Sequence, residues 1–331
     1  MKSSKREDVL EEEFQKLGYR SERLSISGTQ YIRFVSPEGR VWLYKATNGK
    51  LPLPYVGASA ILNDKQIAAE YVELKGVRTP RTVRVSNDFR TVADYRANLG
   101  LDDSKAIVIK PSDGTLSRGV SANVRTDQEL GVALEKARKQ SSRVIAQERV
   151  EGNEYRFVYV GMQLKVVIVK CKLQVVGDGT STVRMLIFKE NRARLELKGL
   201  RVKYPQISFD KLNLARDQFD RIPENGEMVV LGDSIAIEDG ASFFDATHEI
   251  HETYKDIANR LAADFGGGYL AVDMLIKNPH EPANDQNYAF LEFNDLPAPM
   301  YFYACRNNPD IPVMRDLVEL IDRSLKVGAQ A

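Results

Sequence analysis

Across 331 residues the chain holds only two cysteines, three histidines and one tryptophan, with 47 Lys and Arg against 46 Asp and Glu. Cys171 and Cys305 lie far apart and have no metal-ligand spacing, which fits a reducing, cytoplasmic setting. His248, His251 and His280 argue against histidine-centred catalysis and a multi-histidine metal centre. A net charge of +1 lacks the basic excess of a nucleic-acid or anionic-membrane binder, so neither partner is expected. No apolar run approaches bilayer length, and Met1–Arg6 is not followed by an apolar signal core. The chemistry must therefore rest on Lys, Arg, Asp and Glu.

The length allows two or three lobes. Residues 7–18 read as a short amphipathic helix stopped by Gly18, followed by strands at 31–35 and 41–44 joined by a Ser36-Pro-Glu-Gly39 turn. A Pro-rich linker at 51–55 separates this piece from a helix that Asn63-Asp64-Lys65 opens and Gly76 ends. Strands follow at 106–110, 119–124 and 143–148, with a helix at 127–139, then a hairpin of 155–160 and 164–169 over Gly161. Residues 189–226 read as an inserted loop with a helix, and 255–265 and 316–326 as helices.

Two runs, Tyr269–Ile276 and Phe290–Asn294, read as the strands of one hairpin. Glu292 and Asn294, two apart, aim at one point, and Asp273 on the neighbouring strand can aim there too. Two carboxylates and an amide oxygen suit Mg2+. From these residues alone, a solvated face of an antiparallel sheet is the simpler reading. Lys110-Pro-Ser112-Asp-Gly114-Thr-Leu-Ser117-Arg-Gly119 ends a strand in a loop whose backbone N–H groups can cover phosphates, with the lysine as counter-charge. It lacks the features of a Walker A loop, and an ordinary hairpin is its bland alternative. In Gln147-Glu148-Arg-Val150-Glu-Gly152-Asn-Glu154-Tyr-Arg156 a strand ends, kinks at Gly152 and resumes. Such a strand end can offer main-chain groups to an adenine edge and a carboxylate to ribose, or can be a charged linker. Gly177-Asp178-Gly179-Thr-Ser-Thr182 opens a helix whose N-terminus could hold an anion; an Asp-Gly turn with an N-cap explains it equally well.

The order of these pieces resembles the ATP-grasp superfamily over about residues 61–325. Val176–Thr182, Asn191-Arg192 and Asp245-Ala-Thr-His-Glu249 narrow the likeness to the glutathione synthetase module of bifunctional glutamate–cysteine ligase/glutathione synthetase and the ATP-grasp module of cyanophycin synthetase. None extends into the first 50 residues. The resemblance implies an α+β fold of two lobes clasping a nucleotide, with a small N-terminal domain (1–62), a lid (63–150) and a C-terminal subdomain carrying the metal site (151–331). It implies that Lys65 and Lys110 contact ATP phosphates under a loop containing Ser112, Gly114, Ser117 and Gly119. Gln147, Glu148 and Val150 would border the adenine, and Glu154 would hold the ribose. Asp273, Glu292 and Asn294 would bind Mg2+, and Arg156 and Lys170 would face phosphate or acyl-phosphate oxygens.

The chain departs from that pattern where the acceptor substrate is expected. Gln147 and Glu148 replace a glutamate and a lysine, Leu231–Ala241 lacks an arginine and two asparagines, and Met300 and Phe302 stand in for two histidines. The function expected is an ATP-dependent carboxylate–amine ligase acting through an acyl phosphate on an amino acid or small peptide. A nucleotide-binding scaffold without ligase activity and a small-molecule kinase are the alternatives. Arg184, Arg192 and Arg194 are candidates for a substrate carboxylate, with a solvated helix face the simpler reading for at least two. The apolar run Met300–Tyr303 fits a homo-oligomer interface or the wall of the substrate pocket.

Overall fold

The computed structural model describes residues 5–26, 29–46, 51, 53, 61–62, 64–86, 88–113, 118–212, 214–232, 235–265 and 268–327. The Pro-rich linker, but for Leu51 and Leu53, lies outside them, as do Asn63, Gly114 and Ser117.

Helix α1 (Arg6–Lys16) precedes an antiparallel sheet of β1 (Arg20–Ile26), β2 (Thr29–Val35) and β3 (Val41–Lys45). Val9, Leu10 and Phe14 share one helical face and bury against the alternate residues Ile32 and Phe34 of β2 and Tyr44 of β3. Gly18, at φ +82°, ends the helix in the left-handed conformation. Strand β1 was not expected. Its sequence, Arg-Ser-Glu-Arg-Leu-Ser-Ile, has no clear apolar alternation, and pairing along the whole of β2 imposes the strand.

Helix α2 (Lys65–Glu73) is capped by Asp64, whose carboxylate accepts from the N–H groups of Gln66 (3.0 Å) and Ile67 (3.3 Å). Next come β4 (Thr82–Arg84), α3 (Val92–Asn98), β5 (Ile107–Pro111), β6 (Ser121–Val124), α4 (Asp127–Arg138) and β7 (Val144–Glu148). Their strands form an antiparallel sheet in the order β4-β7-β5-β6. Tyr95, Leu130, Ala133 and Ala137 of the two helices pack against Ile107, Ile109, Val144 and Ala146. Both helices open with capping boxes, Thr91/Asp94 and Thr126/Glu129.

The rest of the chain comprises β8 (Asn153–Val160), β9 (Gln163–Cys171), β10 (Gln174–Val176), α5 (Val183–Glu196), α6 (Arg216–Asp220), β11 (Met228–Val230), β12 (Ser242–Asp245), α7 (Glu252–Ala263), β13 (Tyr269–Ile276), β14 (Tyr288–Asp295), α8 (Met300–Tyr303) and α9 (Val313–Val327). Its centre is a five-stranded antiparallel sheet, β12-β9-β8-β13-β14, with a core on each face. One face packs on α7, and also on α2 through Ala68 and Val72, so α2 rides on this sheet rather than on the four-stranded one. The other face is covered by the N-terminal sheet, α1 and α9. The segment 189–226 is, as expected, mostly irregular chain with helix, running from the end of α5 through α6. Its Ile207 and Phe219 pack with Val175, Val183, Ile187 and Val229 of the flanking α5 and β10–β11 ribbon into a small core of their own. Among the described residues no helix is long and apolar enough to cross a membrane.

Candidate active site

The register of the large sheet assembles the site. Lys170 of β9 lies opposite Glu154 of β8, Arg156 lies opposite Asp273 of β13, and Asp273 lies opposite Glu292 of β14. All share a face with Ile168, which lies opposite Arg156, and with Val158 and Ala271, further along the strands. Gly152 permits the start of this arrangement. At φ +136°, a Cβ there would meet the Ile276 backbone at 2.7 Å, so only glycine lets β8 begin against the end of β13.

The charged side chains are not a solvated face: Arg156 is 4% exposed, Lys170 3% and Asp273 0%. Arg156 grips Asp273 with two parallel bonds, Nε to Oδ1 at 2.8 Å and Nη2 to Oδ2 at 2.6 Å. Lys170 bonds Glu154 and lies 3.5 Å from Asp273. Burial pushes the Asp273 carboxyl up, but Arg156 and Lys170 outweigh it and hold the group below its ordinary value. For Glu154 burial wins over Lys170 and the carboxyl is raised. The Asn294 amide nitrogen donates to Asp273 (2.9 Å) and Glu292 (3.2 Å).

Lys65 comes from the first turn of α2 and pairs with Glu292 at 2.9 Å. Lys110, next to last in β5, is buried and is pushed down to about 8, first by desolvation and then by Lys65. Ser112 ties these two elements together. Its hydroxyl donates to Asp64 at 2.6 Å and its carbonyl accepts the Lys65 N–H at 3.0 Å, while Arg143 bonds Asp64 and Asp113, each at 2.7 Å. The hydroxyl expected to meet nucleotide thus holds the cap of α2. Gly119, at φ +78°, closes the loop on the far side of the undescribed residues.

At the end of β7, Gln147 is buried and donates to the Thr82 hydroxyl at 2.7 Å. Glu148 accepts from Arg81 Nε (3.1 Å) and Arg78 Nη2 (3.4 Å), and Val150 follows half-buried. The turn at Gly177–Thr182 satisfies its own helix start: Asp178 takes the Thr180 and Ser181 N–H groups and the Lys189 ammonium, and Thr182 caps α5. None of the three candidate arginines faces the site. Arg184 is set against Asp220, Arg192 pairs with Glu196, and Arg194 is buried on Glu190, Pro205 O and Gly240 O. In the Met300–Tyr303 run Phe302 and Tyr303 are buried and Met300 and Tyr301 half-buried, and the Tyr301 ring lies 4.6 Å from the Arg156 guanidinium and 5.2 Å from the Lys170 ammonium. Sequence reasoning missed this role of Tyr301, since an aromatic inside an apolar run carries no signal of it.

Four cations, Lys65, Lys110, Arg156 and Lys170, thus converge with three carboxylates, Glu154, Asp273 and Glu292, leaving one positive charge in excess. That balance favours an anion. No group of three or more His, Cys, Asp or Glu of metal-ligand geometry occurs among the described residues. The residues that could hold a hard divalent cation are Asp273, Glu292 and Asn294, with both Asp273 oxygens taken here by Arg156 and Glu292 paired with Lys65. The Asn294 amide sits within hydrogen-bond reach of both carboxylates, and a half-turn of that amide presents its oxygen instead.

No protein-family model matches the chain. Over 245 residues it is 26% identical to the bifunctional glutathione biosynthesis protein of Clostridium perfringens and 28% identical to that of Desulfotalea psychrophila, covering 72% of this chain and 31% of each relative. The chain therefore spans under a third of the length of the curated relatives it matches. A crystal structure of a bifunctional glutathione synthetase from Pasteurella multocida matches 96% of this chain and 44% of that chain, at 20% identity and a TM-score of 0.63. A D-alanine–D-alanine ligase structure from Bacillus anthracis matches 82% of this chain and 70% of that chain, at 17% identity and a TM-score of 0.50. The chain has the fold of the ATP-grasp ligases.

Proposed function

We propose that this chain is an ATP-dependent carboxylate–amine ligase that forms an amide or peptide bond on an amino acid or small peptide, releasing ADP and phosphate in the cytoplasm. The observation that carries the reading is the convergence of four cations with Glu292, Asn294 and Asp273 at one end of one sheet face. The names of the relatives, glutathione biosynthesis proteins and a D-alanine ligase, support the same reaction class.

Lys65 and Lys110 would bind the phosphates of ATP, and the four-stranded sheet would close over them as a lid within 63–150. Gln147 to Val150 would border the adenine, and Glu154, released from Lys170, the ribose. Magnesium, held by Glu292, Asn294 and Asp273, would supply charge neutralisation at the transferring phosphoryl group. The substrate carboxylate attacks that group, giving an acyl phosphate, and the amine then displaces phosphate. Arg156 and Lys170, aligned by Asp273 and backed by Tyr301, would stabilise the oxygens that gain charge. No protein nucleophile is needed.

The test is ADP release from Mg-ATP with pooled amino acids and short peptides, followed by mass spectrometry. A new amide-bonded mass supports the ligase. ADP release with a stable phosphorylated product and no amine would replace it with a kinase.

A further inference from the structure

The N-terminal lobe holds the turn that follows the proposed metal strand. Among described residues, Leu296 is the one non-glycine with positive φ, at +56°. A side chain with a Cβ disfavours this conformation, which persists only where its surroundings impose it. Three bonds do so here. The Arg6 guanidinium, from the first turn of α1, donates to the Leu296 carbonyl. The Leu296 N–H donates to Tyr269 O at 3.3 Å, and the Tyr269 hydroxyl donates to Pro297 O at 2.7 Å.

The same helix grips the other end of this segment. Glu12 accepts both terminal nitrogens of Arg201, at 2.8 and 2.9 Å, and the Arg201 guanidinium lies 4.5 Å over the Tyr303 ring. Asn294 stands two residues before the first grip. Tyr301, which presses on Arg156 and Lys170, stands between the two.

We propose that α1 is a positioning element of the active site. Arg6 and the Glu12–Arg201 pair fix residues 295–303, and thereby the approach of Asn294 to Glu292 and Asp273 and the seat of Tyr301 on the two buried cations. Neither Arg6 nor Glu12 touches a reacting atom. The inference rests on the metal–nucleotide reading of the site given above.

Its test is Mn2+ affinity in the presence of ADP, read from the paramagnetic resonance of free Mn2+, alongside the ADP dissociation constant. Trp42, the single tryptophan, stacks on Phe34 at 4.6 Å and reports through its emission whether the lobe stays packed. Arg6→Met is expected to weaken Mn2+ binding at least fivefold while ADP affinity measured without metal changes less than twofold and Trp42 emission is unchanged. In a Leu296→Gly background, where the turn needs no brace, the same substitution should cost less than twofold. An unchanged Mn2+ affinity, or equal losses in both backgrounds, overturns the proposal. Should Arg6→Met shift the Trp42 emission, the charge swap Glu12→Arg with Arg201→Glu decides. Recovery of Mn2+ affinity over either single variant supports the brace, and no recovery overturns it. A wild type that binds no ADP would remove the site reading and the brace together; intact ADP binding with unmoved Mn2+ affinity removes the brace alone.

Discussion

Along one face of the large sheet, two halves of the same strands follow opposite rules. Val158, Val160, Val166, Ile168, Tyr269 and Ala271 form a dry core under the N-terminal lobe and α9. A few residues along the same strands stand Glu154, Arg156, Lys170 and Asp273, equally buried or nearly so but charged. Periodicity places both halves on one face, so it cannot tell them apart. The difference is what each half packs on: side chains of the N-terminal lobe in one, and Lys65, Lys110 and the Tyr301 ring in the other. Burying an apolar Val or Ile side chain is worth about 1.5–3 kcal/mol. Buried charges contribute little net stability and stay ionised only because each has an opposite partner.

The largest expected contrast is in stability. Asp273→Asn leaves Arg156 and Lys170 buried without their shared counter-charge and should cost about 3–5 kcal/mol in chemical denaturation. A cost below about 1 kcal/mol would show that the charged half is wet. Glu292→Ala should reduce metal-dependent ATP turnover on the order of a hundredfold or more with the fold intact. Unchanged turnover would remove the metal assignment.

A third contrast is in pH. Lys110 is lowered from 10.5 to about 8, so its ammonium is present at pH 7 and lost above about 8. Nucleotide affinity should therefore hold below that value and fall by up to roughly tenfold per unit above it. Lys110→Arg, always charged, should lack the inflection; an inflection that survives there belongs to another group. Between about 8 and 10.5 the unfolded chain binds this proton more tightly than the fold does, so this group makes folding more favourable as pH rises through that window. The smallest effect belongs to the apolar half. Ile168→Val, opposite Arg156, should cost about 0.5–1.5 kcal/mol and leave nucleotide binding unchanged.

These halves were unequally legible. Glu292 and Asn294, two apart on a strand, and the Gly152 kink were readable because strand period and glycine geometry are local. The hairpins and most helices were too, through turns and caps. Register was not local. Nothing in the spacing said that Glu154 would meet Lys170, that Ser112 would spend its hydroxyl on Asp64, or that the arginines of α5 would face away. Nor could it show that Arg6, nearly the whole chain away, holds the carbonyl of Leu296.

Nucleotide affinity with and without Mg2+, for the wild type and Glu292→Ala, speaks most plainly to the charged half as a metal–nucleotide site. The wild type should bind ADP more tightly with Mg2+, and Glu292→Ala should bind it equally with and without the metal. Strengthening by Mg2+ that persists in Glu292→Ala, or no ADP binding by the wild type, would contradict the assignment.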